Sequence, residues 1–220
     1  MGTNTLILTG EPGIGKSAFS AQLAHRNKLD VLAAVFIRYN QPQTFEPSRV
    51  ICTLAYQLAC RLPDYRTYLM GLAELDELDK KNESELFSYL MAEPLRLCID
   101  GNRNTGIIIL DALDETSGEG TGLPQLLARY VDELPKWIKV VATTRPEPQL
   151  LSVLSSLHPV KIGADDSRNR QDIAEYLCQQ LVQFNPDAET IERIVTKSEG
   201  IFLYAQQVAE QVKDSTFAPR

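Results

Sequence analysis

The sequence predicts an α/β protein, a three-layer αβα domain built on a five-stranded parallel sheet and followed by a small helical lobe. Three observations predict it. Apolar runs of strand length recur with helix-period stretches between them, the alternation a parallel sheet requires. The run GIIILD, residues 106–111, is almost continuously hydrophobic, which marks a strand buried on both faces. From Asp166 onward the strand-like runs stop and only helical patterns remain. The chain therefore divides at about residue 163, into a sheet domain over 1–163 and a helical lobe over 164–220.

In chain order, strands are predicted at Thr5–Thr9, Ala33–Tyr39, Gly106–Asp111, Ile138–Thr143 and Val160–Ile162. Between the second and third, Ile51, Leu54, Ala55 and Leu58 fall at i, i+3, i+4 and i+7 and define one apolar helix face, with Pro63 ending that helix. The polar stretch DELDKKNES, residues 76–84, reads as a solvated linker before a second helix over Glu83 to Leu97. The glycine-rich SGEGTGLP, residues 117–124, reads as a mobile loop before a helix ending near Leu134. The lobe carries three helical patterns, Asn169–Phe184, Asp187–Ser198 and Ile201–Val212, with Asp187 placed to cap the second and Gly200 placed as a helix stop. The tail DSTFAPR is expected to fray.

Composition narrows the function classes. Of 220 residues, 44% are hydrophobic and 23% charged, and no segment approaches the ~20 uninterrupted apolar residues of a membrane span. This predicts a soluble, cytoplasmic chain without a membrane partner. The start MGTNTLIL lacks a basic leader, and Leu6 stands where a myristoylation motif needs Ser or Thr. A net charge of −7 argues against a nucleic-acid partner, because phosphate-backbone binders carry a basic excess. The cysteines Cys52, Cys60, Cys98 and Cys178 form no CxxC pair, and His25 and His158 stand apart from them, so no zinc site is predicted. On one helix, Cys52 and Cys60 would lie about 12 Å apart, beyond disulfide reach.

The chemistry concentrates in three blocks. TLILTGEPGIGKSAF, residues 5–19, contains G-x-x-x-x-G-K-S directly after a strand and at the start of a helix. Backbone N–H groups can surround a phosphate only where the chain turns tightly, and Gly10, Gly13 and Gly15 permit that. The helix that follows aims its free N–H groups at the anion, and the Lys16 ammonium is placed to reach the β and γ phosphates. The predicted phosphate-binding segment is thus Gly10, Glu11, Pro12, Gly13, Ile14, Gly15, Lys16, Ser17 and Ala18, with the Ser17 hydroxyl as a ligand for Mg2+.

The second block is GIIILDALDE, residues 106–115. Asp111 ends a buried strand at the sheet edge where α/β proteins bind ligands, the place for an acid that orients Mg2+. Asp114 and Glu115 follow within one turn, and one of the two would position a water for attack on the γ phosphate. In the third block, VVATTRPEP, residues 140–148, a strand ends in Thr143, Thr144 and Arg145; Thr144 and Arg145 are placed to meet the γ phosphate.

Those blocks, in that order, resemble the STAND class of P-loop NTPases and within it the NACHT-like branch. TGEPGIGKS looks like that family's Walker A, IIILDALDE like its extended Walker B, and ATTRP like its sensor 1. FEPSRVICTLAYQLACRLP and SEGIFLYAQQVAEQV extend the likeness to most of residues 5–212. The resemblance implies a sheet order of 5-1-4-3-2, an ATP/ADP switch with weak hydrolysis, homo-oligomerisation on activation, and flanking effector and repeat domains in a larger protein. Gly200-Ile201-Phe202 stands where the family's lobe often carries Gly-x-Pro. ATP is expected over GTP because no N-K-x-D guanine-reading motif follows any strand. The competing expectations are a GTP-preferring NTPase, since some members of the class use GTP, and a non-catalytic scaffold that binds nucleotide, or nothing, and recruits partners.

Overall fold

In the computed structural model, which describes residues 4–72, 75–97, 105–116 and 122–217, five strands form one parallel sheet. They are β1 (Thr5–Thr9), β2 (Val31–Phe36), β3 (Gly106–Asp111), β4 (Ile138–Thr144) and β5 (Val160–Lys161), arranged β2-β3-β4-β1-β5. That is the expected 5-1-4-3-2 order read from the other side, with helices between strands. β1 pairs with β4 from Thr5↔Val140 to Thr9↔Thr144, and β3 with β4 from Gly106↔Ile138 to Leu110↔Ala142. The C-terminal ends of β1, β3 and β4 therefore meet at one edge, as parallel neighbours must.

The helices are α1 (Lys16–Arg26), α2 (Pro42–Phe45), α3 (Pro47–Arg61), α4 (Pro63–Met70), α5 (Glu83–Phe87), α6 (Glu93–Leu97), α7 (Leu123–Tyr130), α8 (Pro148–Val153), α9 (Ser167–Gln180), α10 (Ala188–Lys197) and α11 (Phe202–Phe217). The chain forms two compact units, one of residues 1–9 and 17–160, the other of residues 10–16 and 161–220. The glycine-rich segment 10–16 thus groups with the C-terminal helices.

In the first unit, β3 contributes Ile108, Ile109 and Leu110, each at most 1% exposed, as its unbroken apolar run requires. α3 buries Ile51, Leu54, Ala55 and Leu58, the predicted face. β2 is an edge strand, and the Gln57 side chain of α3 covers part of that edge by accepting from Ala34 N and donating to Ala34 O, a side-chain amide standing in for a neighbouring strand.

β2 starts two residues before the predicted Ala33 and ends three before Tyr39. It ends because its amides find other acceptors: Arg38 N–H donates to Thr44 Oγ1 and Tyr39 N–H to Glu115 Oε2. β4 runs one residue beyond Thr143, and β5 stops one before Ile162. The expected polar linker contains a 3-10 helix, Leu75–Lys80, and then a capping box in which Asn82 and Glu85 satisfy each other's N–H groups.

The predicted helix 83–97 is continuous but passes through a π-helical turn at Ser88–Ala92. Pro94 has no N–H to offer the Leu90 carbonyl four residues back. The buried Tyr65 hydroxyl donates to that carbonyl instead. Of the glycine-rich loop, residues 117–121 lie outside the described residues, as does Cys98; Cys52, Cys60 and Cys178 are free thiols.

In the second unit, α9, α10 and α11 pack Ile173, Leu177, Leu181, Ile191, Ala205 and Ala209 into one cluster. Asp166 and Asp187 cap α9 and α10, accepting from Arg168 N and Thr190 N. α11 continues to Phe217, five residues beyond the predicted Val212, because nothing from 213 to 217 breaks a helix. Gly200 does stop a helix: it follows Glu199, and both adopt left-handed φ, +80° and +49°.

Candidate functional site

The loop that leaves β1 begins at Gly10 and enters α1 at Lys16. Gly13 and Gly15 have φ of +79° and +105°, values that L side chains resist. Gly10 has ordinary φ, so its expected freedom is not what the fold uses; a Cβ there would lie 3.1 Å from Ile14 Cγ2 and 3.2 Å from the Ile162 carbonyl oxygen. Glu11 and Pro12 are exposed, Ile14 is 3% exposed, and Ile14 N–H donates to Glu11 O. Lys16 Nζ donates to the Gly10 carbonyl at 2.6 Å and the Glu11 carbonyl at 3.1 Å. The ammonium thus holds the loop's own oxygens, which shapes the loop around a single cation.

The loop is also braced from α11, inside the same unit. Leu203 N–H donates to Gly13 O at 2.9 Å, and a Cβ on Gly13 would meet Ile201 Cγ2 at 3.0 Å and Leu203 Cβ at 3.1 Å. Gly15 faces Phe202, whose ring packs 4.8 Å from that of Tyr176.

The acids belong to the first unit. Asp111, 4% exposed, ends β3, and its Oδ1 accepts from Ser20 Oγ at 2.8 Å and Thr143 Oγ1 at 2.7 Å. Thr143 Oγ1 in turn accepts Ala112 N–H. Ala112 then turns the chain with φ of +64°, a conformation that costs a residue with a Cβ about 1–2 kcal/mol. Two hydroxyls aim the carboxylate through one oxygen, and Oδ2 accepts no hydrogen bond among the described residues. The Ser17 hydroxyl, on the exposed first turn of α1, likewise makes none.

These are hard oxygen donors of the kind Mg2+ takes. Among the described residues no three His, Cys, Asp or Glu side chains cluster as a cation cage. A divalent ion held by Ser17 and Asp111 would therefore draw its other oxygens from phosphate and water, the usual Mg2+ pattern. The donor set fits such an ion.

Asp114 and Glu115 are both engaged. Asp114, its side chain 5% exposed, accepts Arg145 N–H at Oδ1 and pairs with Arg145 Nε at Oδ2, both at 3.0 Å. Glu115 Oε2 accepts Tyr39 N–H at 2.8 Å. Thr144 is fully buried, its hydroxyl directed at the Arg145 carbonyl. Thr9, paired with Thr144 in the sheet, is 3% exposed, and its hydroxyl finds no hydrogen-bond partner among the described residues. The structure brings Asp114 to Arg145 and Asp111 to Thr143. Ser20 escapes the sequence reading, although its i+3 spacing from Ser17 places it on the same helix face. Leu203 escapes it too, since no local signal ties residue 203 to residue 13.

Sheet order, strand ends and loop define an α/β protein in which a glycine-rich, lysine-ended segment leaves β1 and an acid ends β3. The model of the family described as Nephrocystin 3, N-terminal matches residues 2–145. The chain belongs to that family, and the match takes in the loop and all three acids. No curated protein matched the chain.

Proposed function

We propose that this chain binds a Mg2+-nucleoside triphosphate and hydrolyses it slowly, serving as the switch of a larger signalling protein of the NACHT-like STAND type. The observation that carries the reading is the loop itself. Gly13 and Gly15 hold the left-handed turns that let main-chain amides converge, and Lys16 opens α1. Loop N–H groups, the helix start and the ammonium would hold the phosphates. Bound Mg2+ would neutralise phosphate charge; Ser17 and Asp111 would hold it, with Ser20 and Thr143 orienting Asp111. Asp114 or Glu115 would orient the water, and Arg145 would meet the γ phosphate. ATP is preferred to GTP for want of a guanine-reading motif, and the triphosphate form would favour homo-oligomers. The absence of a long apolar helix among the described residues agrees with a chain that crosses no membrane by helix.

A thermal-shift titration of the full chain with Mg-ATP, Mg-ADP and Mg-GTP, beside Lys16→Ala, tests the proposal. Stabilisation by nucleotide that is lost in Lys16→Ala supports it, and no shift with any nucleotide ends it. The second reading, a non-catalytic nucleotide-binding scaffold, is favoured by one observation: both trailing acids already bond groups of their own chain. Single-turnover hydrolysis separates the two, since a scaffold would hydrolyse no faster than its Glu115→Gln variant.

A further inference from the structure

We propose that Asp114 is a positioning residue that presents Arg145 to the terminal phosphate, which leaves Glu115 as the acid that orients water. The inference rests on the nucleotide-binding reading and goes beyond it by dividing the work of the two acids. Asp114 meets Arg145 at two points 3.0 Å away, the main-chain N–H through Oδ1 and Nε through Oδ2. The first fixes the backbone where β4 ends, one residue before Pro146. The second fixes the side chain out to its fourth rotatable bond, so the guanidinium has one direction rather than many.

Burial separates the two partners. The Asp114 side chain is 5% exposed and that of Arg145 50%. The carboxylate end of the pair is dry, where a charge-assisted bond is strong. The far end of the guanidinium stands in the open. Nη1 and Nη2 make no hydrogen bond among the described residues, and a planar pair of donors of this kind matches two phosphate oxygens.

An acid that turned to a water would give up its ion pair with Nε at a dry carboxylate and leave the Arg145 side chain unfixed, a costly exchange. Glu115 faces no such conflict. It gives Oε2 to Tyr39 N–H, and its Oε1 accepts nothing among the described residues. Ordering Arg145 beforehand removes entropy that the γ phosphate would otherwise have to overcome.

The test is the ratio of Mg-ATP to Mg-ADP affinity in the full chain, measured by equilibrium titration together with kcat and KM. Asp114→Asn keeps the shape but loses the charge; it should lower the ratio about tenfold or more, with ADP affinity held within about twofold. Arg145→Ala should lower it by a similar factor, and the double variant no further, because both remove one interaction. Glu115→Gln should lower kcat and leave the ratio alone. Arg145→Lys keeps a cation but has no Nε for Oδ2, so it should also lose the ratio; it serves if Asp114→Asn fails to fold. A wild-type ratio in Asp114→Asn with kcat abolished, additive losses in the double variant, or a wild-type ratio in Arg145→Lys each overturns the inference while nucleotide binding stands. Absence of any nucleotide binding by the wild-type chain overturns both.

Discussion

Gly200→Ala should be the most damaging small substitution in the second unit. The residue holds φ of +80°, which costs an alanine about 1–2 kcal/mol. Its new Cβ would fall 1.9 Å from the Ala164 carbonyl oxygen and 2.6 Å from the carbonyl carbon, main-chain atoms that cannot rotate aside. The turn would have to open by more than the slack in the bond from Asn169 Nδ2 to the Gly200 carbonyl, 2.6 Å long and buried. Losing that bond strands a buried polar pair, worth about 1–3 kcal/mol. Together these give a loss of about 2–5 kcal/mol. Urea unfolding of the full chain followed by far-UV ellipticity measures it, with Gly71→Ala as the control. Gly71 has negative φ and an added Cβ would find only ordinary contact at 3.4 Å, so that variant should stay within about 0.5 kcal/mol of wild type. A loss below about 1 kcal/mol for Gly200→Ala would refute the reasoning, because strain alone should exceed it.

Three other contacts carry expected outcomes of their own. Tyr65→Phe leaves the Leu90 carbonyl without the hydroxyl that replaces Pro94's missing amide, and should cost about 1–3 kcal/mol in urea unfolding. Ser20→Ala removes one of two hydroxyls on Asp111 Oδ1; it should cost about 1–2 kcal/mol and, under the proposed function, raise the Mg2+ concentration that half-saturates nucleotide binding. The Arg168 side chain, then its main-chain N–H, lower the Asp166 carboxyl from its ordinary 3.8 to about 2. A lowered carboxyl stabilises the fold fully above its unfolded value and loses that contribution as pH falls through the folded one. The stability lost by wild type between about pH 4 and pH 2 should therefore be smaller in Asp166→Asn, as acid titration of the unfolding midpoint would show.

How much of this was legible in the sequence depends on whether the cause is local. The unbroken apolar run of β3, the i, i+3, i+4 face of α3 and the Asp187 cap are local and appear where the pattern puts them. β2 shifted because the acceptors that drew Arg38 and Tyr39 off the ladder, Thr44 and Glu115, are side chains the strand pattern does not contain. The π-helical turn was half legible: Pro94 announces a missing donor, but only the fold brings Tyr65 to the carbonyl. In the site, Asp111 and Thr143 become neighbours as soon as β3 and β4 pair in register, so sheet order alone would have joined them. The pairing of Asp114 with Arg145, 31 residues apart, lies beyond both strand ends and needed the turn at Ala112.

The glycines of the loop answer to two constraints at once, and this bears on how such a loop could report its occupancy. Gly13 needs its positive φ for the turn, but it also lies against Ile201 and Leu203 and gives its carbonyl to the Leu203 amide. A phosphate drawing Lys16 Nζ toward itself would have to replace bonds that the ammonium now makes to the Gly10 and Glu11 carbonyls. Those carbonyls sit two and three residues before the one that α11 reads. A ligand that turned the peptide units of this segment would therefore act on the first turn of α11 directly, through the bond from Leu203 N–H to the Gly13 carbonyl and the close packing of Gly13 on Ile201 and Leu203. Only a ligand that prefers one arrangement of that bond over another shifts its population.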